Sequence, residues 1–156
     1  MGVVGAGKTT IGRLLAQRLH WEFFDADSFH SAENVEKIRQ GIPLNDEDRA
    51  PWLRTIRTAI NQWISEQRNA VLACSALKQS YREQLNAGAA VKFVYLKGES
   101  ELIGERLRAR EGHFATTELL ASQFATLEEP RDAIVIDISG SPQSVVEEIL
   151  LRLREG

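Results

Sequence analysis

Two hydrophobic rhythms alternate along the chain. Ile11, Leu14, Leu15 and Leu19 recur at helical spacing, with Arg13, Gln17 and Arg18 between them, which predicts an amphipathic helix over 9–19. The apolar run 21–24 ends in Asp25-Ala26-Asp27 and reads as a strand with two carboxylates at its carboxyl end. Residues 32–40 predict a helix stopped by Gly41, and the turn-rich 42–46 leads into a long helix. On that helix Trp52, Ile56, Ala59, Ile60 and Trp63 form one stripe, so these tryptophans belong to a core and not to a ligand box. Further along, 70–73 predicts a buried strand ending in Cys74-Ser75, 77–86 a short helix, 91–96 a strand and 100–110 a helix. A helix over 116–127, a strand over 133–138 and a terminal helix complete the pattern. The last opens on Ser141-Pro142, a cap followed by proline in the first turn, and carries Val145, Val146, Ile149, Leu150 and Leu153 on one stripe.

Strands alternating with helices imply parallel strands joined by right-handed crossovers, an α/β sandwich whose ligands sit beyond the carboxyl ends of the strands. No repeat or low-complexity linker interrupts the pattern, so residues 1–156 read as a single domain.

The first residues carry the most specific local signal. Gly2-Val3-Val4-Gly5-Ala6-Gly7-Lys8-Thr9 fits G-x-x-x-x-G-K-[ST], a phosphate-binding loop, and the 9–19 helix follows it at once. Gly5, Ala6 and Gly7 are small enough for backbone N–H groups to wrap a β-phosphate. Lys8 would reach the β/γ-phosphates, Thr9 would join a Mg²⁺ shell and Thr10 begins the helix behind them. Such a loop is fed by a buried parallel strand, whose loss removes core and ladder hydrogen bonds together. Only Met1 precedes it, which points to a start assigned too late or a trimmed upstream segment. Met1-Gly2 also suggests N-myristoylation, but Ala6 stands where that pattern wants Ser or Thr.

Composition narrows the partners. A net charge of −3 argues against nucleic acid, and no apolar stretch is long enough to span a bilayer. One cysteine excludes an internal disulfide framework, and with no signal peptide the expected location is the cytoplasm. Cys74, at a buried strand end, reads as an inert small hydrophobe, and His20 as a helix-end residue without a specific role.

The carboxyl-edge rule gathers Lys8, Thr9, Asp25, Asp27, Ser75, Lys78 and the 106–114 region at one site. Phosphoryl transfer to an alcohol needs one carboxylate for Mg²⁺ and one to orient or deprotonate the hydroxyl. Capping a following turn is the plainer use of either aspartate. The 70–73 strand lacks an acidic ending, which makes Asp25 the better metal candidate.

Together these residues carry a family resemblance. Phe24, Asp25, Asp27 and His30, the run 41–53 (Gly-Ile-Pro-Leu-Asn-Asp-Glu-Asp-Arg-Ala-Pro-Trp-Leu), Cys74-Ser75-Ala76-Leu77-Lys78 with Tyr81-Arg82, Arg110 with Gly112-His113-Phe114, and Gln123-Phe124 with Thr126-Leu127-Glu128 and Pro130 resemble the gluconokinases. These are ATP-dependent D-gluconate 6-kinases related to shikimate kinase. The resemblance spans nearly the whole chain, with 44–52 and 74–78 its most specific parts. It implies a P-loop kinase-like three-layer sandwich whose parallel sheet has five strands, the first, central one absent here. It further implies a homodimer, Mg²⁺, and a mobile lid around 110–116. In this reading Asp27 orients or deprotonates the gluconate 6-hydroxyl, Asp25 and Thr9 hold Mg²⁺, and Arg49 holds the substrate, its carboxylate being the natural partner. His30, Lys78 and His113 match positions near the substrate. Arg106 and Arg110 cover the phosphates, and Gly2, Gly5, Ala6, Gly7, Lys8, Thr9 and Thr10 form the nucleotide loop. Val4 and Ala6 replace two serines common in the family's loop, and Ser31 a usual proline.

The expected reaction is in-line transfer of the γ-phosphoryl of ATP to D-gluconate. The alternatives are a kinase for another small acid and a nucleotide-binding remnant that no longer turns over.

Overall fold

The computed structural model describes residues 1–110 and 117–156. Helix α1 (Lys8–Leu19) leads into β1 (Glu22–Asp25), a 3₁₀ turn (Ala26–Phe29), α2 (Ala32–Arg39) and α3 (Asp46–Ser65). Then come β2 (Ala70–Ala73), α4 (Gln79–Leu85), β3 (Val94–Lys97), α5 (Ser100–Arg108), α6 (Thr117–Thr126), β4 (Ile134–Asp137) and α7 (Pro142–Glu155). The α/β class and the parallel strands are as expected. β1 pairs with β2 and β3 with β4, both in parallel, with Phe24 opposite Leu72 and Leu96 opposite Ile136.

Strand alternation sorts side chains into two cores. Val71 packs with Ile11, Leu15 and the α7 residues Val145, Val146 and Ile149, while its neighbours Ala70 and Leu72 join Ile56, Ile60 and Trp63 of α3. Helices α1 and α7 thus cover one face of the strands and α3 and α4 the other, the three layers expected. Phe24 stacks on Trp63 at 4.3 Å between ring centroids, which fixes the β1–α3 contact. The α3 stripe is core, with Ile56 fully buried and Trp52 and Trp63 nearly so.

Several element boundaries shift by one to three residues from the sequence reading, three of them for a local reason. Trp21 lies outside β1 and is exposed, because α1 ends in a left-handed His20 whose N–H closes on the last helical turn. β3 starts at Val94, after a 3₁₀ turn at Gly88–Ala90, and not at 91. The helix expected from Leu77 begins at Gln79, because Ala76 takes a positive φ of 45° and the chain stays irregular through Lys78.

Among the described residues the four strands form two pairs, and Met1 spans the gap between them. Its amino group donates to the Val94 carbonyl at 2.6 Å, its carbonyl accepts from Leu96 N–H at 2.9 Å, and Gly2 N–H donates to Ser75 at 3.3 Å. Alongside Met1, a cavity of about 340 Å³ separates the facing edges of β2 and β3, lined by Leu15, Ala70, Leu72, Phe93 and Val94 among others. Met1 thus lies between the two pairs, at the position where the sequence reading places the end of a central strand.

Candidate active site

The loop owes its shape to two glycines. Gly5 has φ of 81°, and a Cβ there would stand 2.6 Å from Leu107 of α5. Gly7, at φ of 93°, is the N-cap residue of α1. Between them Ala6 is buried. Free backbone N–H groups of the first α1 turn therefore point beyond the strand ends, where an anion would sit. Val4 N–H is held by the Gln123 side-chain carbonyl at 2.7 Å, which ties the loop to α6. Lys8 reaches back to the Val3 carbonyl at 2.9 Å, and burial holds its pKa down. A phosphate arriving at the loop would offer this ammonium a stronger partner.

A cleft of about 740 Å³ brings together Gly5 to Thr10, Asp25, Asp27, Arg106 and Arg110, with Gln123 and the segment 138–142 as its further wall. Gly2 is not part of it, since it lies against Leu96 at the sheet gap. Asp25 ends β1, where one carboxylate oxygen accepts from Thr9 Oγ1 at 3.3 Å and the other from Asp27 N–H at 3.0 Å. It thus caps the 3₁₀ turn, the plainer use weighed for it, while also facing Thr9. Two adjacent oxygen donors beside a phosphate loop suit a hard cation that keeps phosphate oxygens and water as its other ligands. Among the described residues no group of three or more His, Cys, Asp or Glu could hold a metal by itself.

Asp27 sits in the turn and opens into the cleft. The protein crowded around it, and then the Asp25 carboxylate, push its pKa above the usual carboxylate range. That direction suits a group that must accept a proton. Arg106 donates to the Ser139 carbonyl at 3.3 Å, which anchors it beside the cleft.

Beyond Asp27 lies a second group of residues. Trp52 donates its indole N–H to the Ala26 carbonyl at 2.7 Å, so the start of α3 is pinned to the turn that carries Asp27. The His30 ring stacks on Trp52 at 4.4 Å, and its Nδ1 lies 3.3 Å from Asn34 Nδ2. Burial pushes the His30 pKa down, which favours the neutral ring with Nδ1 accepting and the proton on Nε2. Asn34 also donates to the Asp48 carbonyl at 2.8 Å, and a reciprocal Asn45–Asp48 capping box starts α3. Arg49, one turn into α3, donates to Tyr81 Oη at 3.1 Å, and Lys78 pairs with Asp46 at 3.2 Å.

The residues expected near the substrate therefore divide between the loop cleft and this α3–α4 cluster, with Asp27 and His30 at the join. His113 and the part of the expected lid beyond Arg110 lie outside the described residues. Tyr81, Asp46 and Asn34 have no site role in the sequence reading. The spacing of Asp46, Arg49, Lys78 and Tyr81 was visible, but nothing local says that α3 and α4 meet there. Cys74 is buried with its thiol pushed up to about 11, in keeping with an inert side chain.

A glycine-shaped anion loop at a helix start, a Thr–Asp oxygen pair and a second carboxylate facing the same cleft define a P-loop small-molecule kinase. The shikimate kinase family model matches residues 4–154. The chain is 40% identical over 161 residues to the thermoresistant gluconokinase of Escherichia coli, a match covering 100% of this chain and 92% of that protein. It is 46% identical to the gluconokinase of Gluconobacter oxydans, covering 96% and 86%. The crystal structure of a gluconokinase from Sinorhizobium meliloti superposes with a TM-score of 0.88 at 38% identity, covering 99% and 89%. The chain belongs to the shikimate kinase family and, within it, to the gluconokinases.

Proposed function

We propose that this protein phosphorylates D-gluconate, transferring the γ-phosphoryl of ATP to the 6-hydroxyl. The observation that carries the reading is the placement of Asp27. It opens into the phosphate-loop cleft and adjoins a cluster holding Arg49 and Lys78, the pairing that an alcohol acceptor with a carboxylate at its far end requires. Likeness to the gluconokinases supports that substrate over other small acids, and nothing in the site favours a remnant without turnover.

The geometry supports the following roles. Backbone N–H groups of Gly5 to Thr9 and the α1 terminus take the phosphates, Lys8 leaves Val3 for the β/γ-phosphates, and Thr10 continues the helix. Arg106 and Arg110 flank the same cleft and would offset the charge that builds on the transferred group. Thr9 and Asp25 are the residues that would hold Mg²⁺, which supplies charge neutralisation at the phosphates when bound. Asp27 accepts the proton of the 6-hydroxyl or orients that hydroxyl for attack. Arg49 and Lys78 take the sugar-acid carboxylate, and the neutral His30 edge lies next to the polyol. A homodimer, a cytoplasmic location and a lid over 110–116 belong to this same reading.

Gluconate-dependent ADP release, measured across a panel of small hydroxy acids, tests the assignment, with gluconate expected to give the highest kcat/KM. In the same assay Arg49→Ala should raise the gluconate KM roughly 10- to 100-fold, the loss of a charge-assisted hydrogen bond, with a smaller change in kcat. An unchanged gluconate dependence would remove Arg49 from the site.

A further inference from the structure

The cations assigned to the substrate carboxylate already hold a carboxylate in the free protein. Asp46, the first residue of α3, places Oδ1 2.5 Å from Tyr81 Oη, 3.2 Å from Lys78 Nζ and 3.9 Å from Arg49 Nη1, and Oδ2 lies 3.4 Å from Lys78. Tyr81 donates its only proton to Asp46 and accepts from Arg49, so the phenol locks the arrangement from below. Both cations also lie over its ring, Arg49 at 5.7 Å and Lys78 at 5.5 Å from the centroid. The Asp46 side chain itself is 66% exposed, so it can swing into water without opening the core. The Tyr81 bond, with Lys78 after it, keeps Asp46 below the usual carboxylate range, so it remains charged at neutral pH.

We propose that Asp46 is the resting occupant of the acid-binding site, a side-chain carboxylate that Arg49 and Lys78 hold until the carboxylate of the substrate displaces it. This rests on the assignment of Arg49 and Lys78 to a substrate carboxylate. The exchange keeps both cations ordered and paired in the empty site. It also sets specificity: an acid pays back the displaced ion pair, whereas a neutral polyol leaves Asp46 in place and gains nothing from the two cations. Asp46 is a positioning and specificity residue in this scheme and touches no reacting atom.

Calorimetric titration with D-gluconate, shikimate and the neutral polyol D-sorbitol decides the matter. Asp46→Asn keeps the Asn45–Asp48 capping box and should bind gluconate roughly three- to tenfold more tightly, in line with the loss of competing exposed ion pairs. Sorbitol binding should not tighten with it. Tyr81→Phe, which removes the shortest bond to Asp46 and preserves the buried ring, should act in the same direction by a smaller factor. If Asp46→Asn does not fold, the Tyr81→Phe result stands in its place. Glu47→Gln, one residue along and outside the cluster, should leave affinity unchanged, which separates displacement from a general loss of negative charge. Weaker gluconate binding to Asp46→Asn would make Asp46 a hydroxyl acceptor for the substrate. That outcome overturns the proposal, as do unchanged affinity and an equal gain in Glu47→Gln. If gluconate binds neither protein but Asp46→Asn tightens shikimate, the displacement stands and the gluconate assignment fails.

Discussion

Asp27→Asn should lower kcat by about 10² to 10⁴-fold, the span attributable to a positioned general base, while nucleotide affinity and fold are retained. The substitution preserves size and the turn's backbone, since the cap bond to Asp25 uses the Asp27 N–H and not its side chain. What it removes is the acceptor lone pair facing the cleft. The pH profile offers a second reading of the same residue. Only the ionised form can take the hydroxyl proton, and its pKa lies above the usual carboxylate range. Activity of the parent protein should therefore fall as pH drops through that raised value, and the residual activity of Asp27→Asn should lack this acid limb. Single-turnover phosphorylation with saturating ATP and gluconate measures both. An Asp27→Asn protein with near-parental kcat would leave Asp27 with a binding role only.

The largest stability effect should come from a residue away from the chemistry. Arg82 of α4 is almost fully buried and donates to the carbonyls of Ala76 at 2.7 Å, Leu77 at 3.1 Å and Glu128 at 2.6 Å, and to Gln79 Oε1 at 3.0 Å. The three carbonyls belong to the irregular link after β2 and to the segment after α6, neither of which has a regular ladder of its own, and Gln79 is the first residue of α4. Leu77 and Gln79 are further tied to Glu128 by two bonds of 2.8 and 2.7 Å. Arg82→Met keeps much of the length and strands the Ala76 and Glu128 carbonyls, while Leu77 retains the Glu128 N–H. A cost of about 3 kcal/mol follows, with the melting temperature lower by roughly 6–12 °C. Arg82→Lys should recover only part of it, because one ammonium cannot span the same four acceptors. Urea unfolding of the three proteins checks the order, and a loss below about 1 kcal/mol for Arg82→Met would mean that water replaces the guanidinium. Because Lys78 is presented from the same link, Arg82→Met should also raise the gluconate KM.

These residues show where reading the chain succeeds. The phosphate loop is local: its glycines, lysine and threonine are consecutive, and the backbone conformations of Gly5 and Gly7 are written into residue type. The helical stripes were legible for a similar reason, since burial repeats every turn, and the α3 tryptophans lie in the core as their spacing implies. Boundaries were less so. β3 starts three residues late because strand extent depends on which neighbour offers pairing groups, here β4 and Met1. Arg82 was visible as one residue of a motif, but its four acceptors lie on segments up to 46 residues away.

By itself the sequence determined the α/β class, the anion loop, the two carboxylates at and just past the end of β1 and, through its specific motifs, the family, because each rests on residue type at short spacing. Only the tertiary structure decided that α3 and α4 meet so that Tyr81 locks Asp46 onto Lys78 and Arg49. It alone set Gly2 apart from the cleft and made Met1 the bridge between two strand pairs. Those outcomes depend on long-range packing: Trp52 against Ala26, Phe24 against Trp63, and the desolvation that accompanies each. No local pattern encodes them.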